Sequence, residues 1–299
     1  MNPHLPNNRH FGRTGSFLIC TIVYLIAGVA VWFAHPIVAP QGPVLTALYL
    51  DILATVIVFI AAIIFRNSSL YDPYWSVAPV PIALFWWGMN GFSMEDLRQV
   101  LAFIALGLWA IRLTLNWARG WVGLIHEDWR YGMLRARTGI FYPLVNLGGI
   151  HLFPTVMVFL ACMPLYYVYG TESSTFGWMD ILGFSISILG TLLELVADEQ
   201  LKAFKRKNTA HPEAFIDEGV WYYSRHPNYF GEILFWTGLF FMGLSASPNA
   251  LWTASGWLAM FMMFQFISIP MMDERMVDKR PAYAELMKKS ARLIPWFRK

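Results

Sequence analysis

Charge is scarce in this chain: only 14% of its 299 residues are Asp, Glu, Lys or Arg, whereas 57% are apolar. Soluble domains carry about 25% charged and about 45–50% apolar residues. A globule of this length cannot hide the surplus apolar surface, so lipid is the expected solvent and no nucleic-acid-binding face is expected. Cysteine is nearly absent. Cys20 and Cys162 both sit in apolar stretches far apart in the chain, which excludes a disulfide framework and a metal spacing and leaves inert buried thiols. Seven histidines are too few for a convincing di-metal centre. No H-E-x-x-H, phosphate-binding Walker loop, dinucleotide G-x-G-x-x-G or G-x-S-x-G stands in a supporting context. A cleavable signal peptide is also unexpected. The first sixteen residues are polar and the apolar run after them lacks a small-x-small site, so that run is read as a retained first helix. With no Pro/Gly/Ser linker, low-complexity tract or internal repeat, residues 1–299 are expected to form one membrane domain.

What the chain has is apolar runs of spanning length, about 20 residues each. Eight are expected, near Phe17–Phe33, Val44–Phe65, Val77–Met89, Val100–Trp117, Leu144–Tyr169, Met179–Ala197, Tyr229–Leu244 and Ala250–Ile269. The expected fold is thus an all-α, polytopic membrane helical bundle. With the N-terminus inside and the spans alternating, 21 of the 22 Lys and Arg residues, among them Arg9 and Lys299, fall on the inner side; only Arg98 is outside. The positive-inside rule then places both termini in the cytoplasm. The long inner segments Arg112–Pro143, Asp198–Asn228 and Met271–Lys299 hold nearly all the polar side chains able to do chemistry.

Three of these polar stretches stand out. The first is Glu218-Gly-Val-Trp-Tyr-Tyr-Ser-Arg225-His226-Pro-Asn228-Tyr229-Phe-Gly-Glu232. If it continues as a helix, Arg225, Asn228, Tyr229 and Glu232 share one face. Arg225 and His226 alone could anchor a helix to lipid headgroups, but a carboxylate within an apolar span marks function more often. The second is the end of the sixth span, where Glu194, Asp198, Lys202 and Lys205 lie near one face. The acids could accept from ribose hydroxyls or an adenine amine, and Lys202, Lys205 and Arg206 could meet phosphates. A headgroup-binding basic cluster is the competing reading. The third follows the fourth span, with Arg112, Asn116 and Arg119 on one face and then His126, Glu127, Asp128, Arg130 and Tyr131 clustered together. A Tyr or carboxyl polarised by Arg suits acid–base catalysis; a solvated loop of paired charges is the alternative. Tyr71-Asp72-Pro73-Tyr74-Trp75-Ser76 reads as a turn with an aromatic belt, and Asp51 is expected to snorkel or cap. Pro295-Trp296 suggests a tail folding back to the membrane.

Arg225-His226-Pro227-Asn228-Tyr229-x-Gly231-Glu232, followed by a last span and a tail with Leu293-Ile294-Pro295, resembles the C-terminal half of the steroid 5α-reductase superfamily. That superfamily includes sterol reductases and isoprenylcysteine carboxyl methyltransferase. Asp72-Pro-Tyr-Trp75, Arg112-Leu113, Arg119-Gly120 and Glu127-Asp128-Trp-Arg130-Tyr131 extend the resemblance to its bacterial, uncharacterised, steroid 5α-reductase-like branch, over residues 71–296. The resemblance implies a cofactor cavity between the late spans, open to the cytoplasm, holding NADPH in reductases and S-adenosylmethionine in methyltransferases. By matching motif positions, Glu194, Asp198 and Lys202 would face the cofactor from the sixth span. Arg225, Asn228 and Tyr229 would contact it from the seventh, with Glu232 orienting them; Lys205 and His226 belong to the same set, and Arg275 would reach it from the tail. The chain departs from the steroid-reducing enzymes at Glu194, where they carry Asn, and no early Gln/Glu-plus-Tyr pair is found. Arg225-His226-Pro227 is also close to the methyltransferase version of the motif.

Three functions are therefore weighed. The first is an NADPH-dependent reductase of a lipophilic enone or activated alkene, with Tyr131 as acid supported by Glu127. The second is an S-adenosylmethionine-dependent methyltransferase of a lipid or prenylated substrate. The third is a non-enzymatic lipid-binding membrane protein. The expected partners are a lipophilic small molecule and membrane lipids, and the expected location is a bacterial inner membrane with the cofactor side facing the cytoplasm.

Overall fold

The computed structural model describes residues 11–170 and 174–298; Arg9 and Lys299, counted above among the inner cations, lie outside the described residues. The described residues contain helices and no strand. Seven segments are long and apolar enough to cross a membrane: Gly12–Gln41, Pro43–Ile64, Leu97–Gly120, Trp129–Val168, Trp178–Lys207, Pro227–Ala246 and Pro248–Lys279. The chain is an integral, polytopic helical membrane protein. The principal helices are α1 (Gly12–Val38), α2 (Pro43–Ile64), α3 (Pro79–Met89), α4 (Leu97–Gly120), α5 (Trp129–Thr138) and α6 (Phe153–Val168). They continue as α7 (Trp178–Lys207), α8 (Pro227–Ala246), α9 (Ala254–Met263), α10 (Ile269–Lys279) and α11 (Tyr283–Lys289).

Of the eight expected stretches, seven coincide with these segments and the third is shorter. The third expected span is a short turn, Tyr74–Val77, followed by the 11-residue α3. At 1.5 Å per residue α3 is about 16 Å long, roughly half the hydrocarbon thickness of a bilayer. Its prolines explain the shortness: Pro79 and Pro81 supply no amide donor, so the helix restarts at Pro79. The fifth expected span is longer than its apolar core. It begins at Trp129, bends at Gly139 (φ +54°), and passes through a π-helical stretch, Asn146–Leu152, before α6.

The chain falls into two compact units, Met1–Phe92 with Leu113–Cys162 and Ser93–Arg112 with Met163–Lys299. In the first unit α1 and α2 form a hairpin. Gly42, at φ +87°, makes the turn, and Pro43 starts α2 at the position where a missing amide costs least. Its core gathers Cys20, Val23, Val58, Leu70, Tyr71, Tyr74, Trp121 and Leu124. Both cysteines are free and buried. Arg13 donates to the Trp121 (3.0 Å) and Ala118 (2.9 Å) carbonyls and so caps the C-terminal end of α4. Asp51 neither snorkels nor caps: it is buried and accepts the Tyr74 hydroxyl at 2.6 Å.

In the second unit α7 and α8 pack antiparallel with their backbones nearly touching. A Cβ at Gly190 would lie 2.5 Å from the Gly231 carbonyl oxygen, and one at Gly231 would lie 2.7 Å from that of Gly190. Lower on the same seam the Ser187 hydroxyl donates to the Phe235 carbonyl at 3.0 Å. Small residues on both faces replace hydrophobic drive, which lipid does not supply, with close van der Waals contact. Two ion pairs tie α4 to α7. Arg98 grips Asp180 bidentately, at 2.6 and 3.0 Å, and Arg112 meets Glu194. Both pairs are 82 residues apart in sequence, so the two helices run parallel and in register. Arg98, the single cation counted outside, is 1% exposed and neutralised by its partner.

Candidate functional site

In the second unit, Arg112 closes a buried cluster of acids drawn from two other helices. Its Nη2 is ion-paired with Glu194 on α7 and lies 3.9 Å from Glu232 on α8, while Nη1 donates to Asp198 at 3.1 Å. Glu194 and Asp198 share a face of α7 at spacing four, so both reach the same guanidinium. Glu232 is fixed independently: the indoles of Trp109 (3.0 Å) and Trp236 (2.8 Å) each donate to one of its oxygens. Trp109 in turn stacks flat on Phe235, with centroids 4.6 Å apart. Three carboxylates thus surround one guanidinium. Among the described residues, Glu194 Oε1 and Arg112 Nε are buried without a hydrogen-bond partner. Stability alone does not call for such a group, because well-packed apolar residues serve as well as a buried ion pair or better. Ionisable side chains within spans mark functional sites.

The second cluster is built on Asp273 of α10. Its carboxylate accepts from Arg225 Nη2 (2.9 Å), His226 Nε2 (3.0 Å) and, more loosely, the Tyr283 hydroxyl (3.3 Å). Arg225 spends Nη1 on the Met287 and Ser290 carbonyls, both at 3.0 Å. The tail folds back here through its backbone: Arg225 N–H donates to Ala291 and Trp296 N–H to Tyr223, both at 2.9 Å. Burial, and then the Asp273 charge, push the Tyr283 phenol above its ordinary value. His226 stacks on Tyr229 and Tyr229 on Phe264, with centroids 5.4 and 4.8 Å apart.

Residues 58–290 match the family described as "Protein of unknown function (DUF1295)". The chain belongs to this family. Every candidate site residue falls within that DUF1295 region. The chain is also similar, at 27% identity over 254 residues, to the uncharacterized protein C594.04c of Schizosaccharomyces pombe, an alignment covering 77% of this chain and 73% of that one. No solved structure matches.

Set against the sequence expectations, this DUF1295 site is partly rearranged. Glu194, Asp198 and Glu232 come together as expected, but the group that gathers them is Arg112. Arg225 does not share the face of Asn228, Tyr229 and Glu232. Helix α8 begins at Pro227, so Arg225 precedes it and turns to Asp273. Glu232 accordingly orients Trp109, Trp236 and Arg112 rather than Arg225. Asn228 accepts its neighbour Tyr229's amide at 3.1 Å. Lys202 pairs with Glu199 at 3.2 Å and lies within electrostatic reach of Asp198, and Lys205 is exposed. Arg275 is half-buried, two residues beyond Asp273 on α10.

Tyr131 and Glu127 belong to the first unit. Tyr131 donates its hydroxyl to Asp72 at 2.5 Å, so Asp72 takes the supporting place expected of Glu127. Burial pushes the Asp72 carboxyl up to about 7, opposed by the Tyr131 hydrogen bond. Glu127 instead accepts from both Arg135 terminal nitrogens (2.9 and 3.1 Å) and from the Ser68 amide (3.0 Å). Asn67 donates to the Leu124 and His126 carbonyls, both at 3.0 Å, and Asp128 caps α5 through the Arg130 amide at 2.9 Å. Much of the motif chemistry near residues 67–72 and 124–135 therefore joins two loops.

Spacing links Arg112 to Asn116 and Arg119 rather than to the acids it meets, and gives Asp273 no place in the site. Arg112 carried a signal, a permanent cation at the end of an apolar run. Asp273 carried none, because an acid in an Asp-Glu-Arg triplet at a helix end looks solvated.

Proposed function

We propose that this protein is a membrane-embedded reductase that uses NADPH to reduce an activated alkene, such as an enone, in a lipophilic substrate. The observation that carries the reading is the buried Arg112 among Glu194, Asp198 and Glu232, with Glu194 Oε1 and Arg112 Nε unpartnered. A ligand rich in both donors and acceptors fits that set, as the ribose hydroxyls and carboxamide of a nicotinamide nucleotide do. The exposed Lys205, Arg206 and Lys207 at the end of α7 supply cations for its phosphates. NADPH supplies hydride when bound. The chain's own residues bind its polar groups, hold them within a low-dielectric bundle and provide the balancing proton. The resemblance of Arg225–Glu232 to the steroid 5α-reductase superfamily selects this chemistry among those an acid-rich pocket could host. The cations Arg119, Lys205, Arg206 and Lys207 at the C-terminal ends of α4 and α7 support an inner-membrane placement with this site towards the cytoplasm.

One observation favours a second reading, a methyltransferase. Three acidic side chains stand against one guanidinium, a set of acceptors that suits the sulfonium of S-adenosylmethionine better than a diphosphate. Calorimetric titration of the detergent-solubilised protein with each cofactor separates the two. The reductase reading expects micromolar NADPH binding, weakened at least about tenfold (about 1.4 kcal/mol) in Asp198→Asn, with no competition from S-adenosylmethionine. Binding of S-adenosylmethionine without NADPH transfers the site to the methyltransferase reading. Binding of neither leaves a lipid-binding protein and sinks both enzymatic readings.

A further inference from the structure

His226 is positioned in a way that a headgroup anchor or a simple counter-ion does not require. Arg225 already neutralises Asp273, at 2.9 Å, so the carboxylate has no need of a second cation. The imidazole nevertheless points Nε2 at Asp273 Oδ1, 3.0 Å away. A carboxylate can only accept, so the proton on Nε2 is fixed there and the tautomer with it. Asp273 is itself held from two further sides, by Arg225 and by the Tyr283 hydroxyl. The ring is clamped face to face by Tyr229, with 8° between the planes, and Tyr229 is backed by Phe264. His226 stands at the N-cap of α8, yet its side chain caps nothing, and Pro227 removes one of the amides a cap would serve. Among the described residues Nδ1 has no hydrogen-bond partner. A phenyl ring would complete the aromatic stack equally well, so the nitrogen not facing Asp273 is the part of this side chain that packing leaves unexplained.

We propose that His226, oriented by Asp273, is the general acid of the reaction, a role that rests on the reductase reading above. Asp273 and Tyr283 are positioning residues. His226 belongs to the same compact unit as Arg112, Glu194, Asp198 and Glu232, and Tyr229 and Glu232 follow it at successive spacings of three on α8. As hydride is delivered to the β-carbon of the enone, the Nδ1–H bond breaks and its electron pair stays on the ring. The proton forms the new C–H bond at the α-carbon. The neutral imidazole, still donating from Nε2 to Asp273, then takes a proton back from the cytoplasmic solvent. The balance is one hydride and one proton added across the double bond, with NADPH oxidised. The charged and titratable groups facing the ring are Asp273, Arg225, Tyr283 and Tyr229.

Full-length protein labelled with 15N-histidine in detergent micelles tests the dyad without any turnover. One imidazole, identified by its loss in His226→Gln, should carry its neutral-state proton on Nε2. In Asp273→Leu, which removes the acceptor, that neutral-state proton should redistribute between Nε2 and Nδ1. The activity arm measures NADPH-dependent enone reduction. His226→Gln should lower kcat by about 10²–10⁴-fold while its KM for NADPH stays within about threefold, and Asp273→Leu should lower kcat by a smaller factor with KM for NADPH again nearly unchanged. A neutral-state proton that stays on Nε2 in Asp273→Leu overturns the dyad whatever the activity. Wild-type kcat in His226→Gln overturns the acid role and leaves the reductase standing. Absence of NADPH consumption by the wild type, with an intact dyad signature, fails the reductase reading and with it the acid role, while the Asp273–His226 pairing stands.

Discussion

Replacing Gly231 with alanine puts one methyl group into the tightest part of the second unit. The new Cβ would lie 2.7 Å from the Gly190 carbonyl oxygen, 3.1 Å from the Glu194 amide nitrogen and 2.6 Å from Glu194 Cγ. The first two are backbone atoms and cannot swing aside, so α7 and α8 must separate. Overpacking of this kind costs about 1–3 kcal/mol, and the better helix propensity of alanine returns about 0.5–1 kcal/mol. A net loss of about 1–2 kcal/mol lowers the melting temperature by roughly 2–6 °C in a protein of this size. The separation also moves Glu232 on α8 away from Arg112 and Glu194, so NADPH affinity should fall along with stability. Gly28→Ala on α1 is the control, because a Cβ there meets nothing within 4 Å. The intrinsic fluorescence of the 14 tryptophans reports both melts in detergent. A Gly231→Ala protein that melts no lower than Gly28→Ala would refute close glycine packing as the reason for the approach of α7 and α8.

Three further outcomes follow from the same geometry. Asp72 has a carboxyl raised from 3.8 to about 7, so folding takes up a proton between those values. Its stabilising contribution is complete below about pH 4 and is lost as pH rises towards 7, at most about 4 kcal/mol. Asp72→Asn should accordingly flatten the dependence of melting temperature on pH in that window; an unchanged slope would show that Asp72 is solvated. Arg112→Met strands three acids in the bundle and should cost about 3–5 kcal/mol, read as a lower melting temperature at neutral pH that partly recovers on acidification; loss without recovery would point to packing rather than charge. By contrast, the double change Arg98→Met with Asp180→Leu removes both charges and should be far milder than either single change, as a double-mutant cycle measures; additive losses would count against a coupled pair.

The transmembrane architecture is legible in the sequence because lipid demands long apolar runs, and seven of the expected spans reappear at nearly the expected positions. The third did not, since apolarity is visible in composition while the interruption by Pro79 and Pro81 acts on backbone hydrogen bonds. Glu194 and Asp198 could be placed together from spacing alone, because both lie on one helix. Their gathering at Arg112 could not, since helical periodicity carries no information about which face of α7 meets α4. Arg225 was assigned to the wrong surface for a related reason. Periodicity was extended one turn too far, through a residue that precedes the proline where α8 begins. Asp273 lay hidden because a buried hub and a solvated helix end have the same local sequence.

The equal offset of the two ion pairs between α4 and α7 limits how the second unit can move. The pairs sit 14 residues apart on each helix, about 21 Å along the axis, like two rivets through a pair of parallel rails. Sliding one helix past the other by a single turn, about 5.4 Å, would strip both pairs together and expose four charges to the bilayer. Shear along this interface is thereby closed as a route for opening. What stays open is rotation that carries α4 and α7 as one body, and α8, docked on α7 through glycines, travels with them. Movement that opens the acid cluster without breaking these contacts therefore has to come from elements outside this trio.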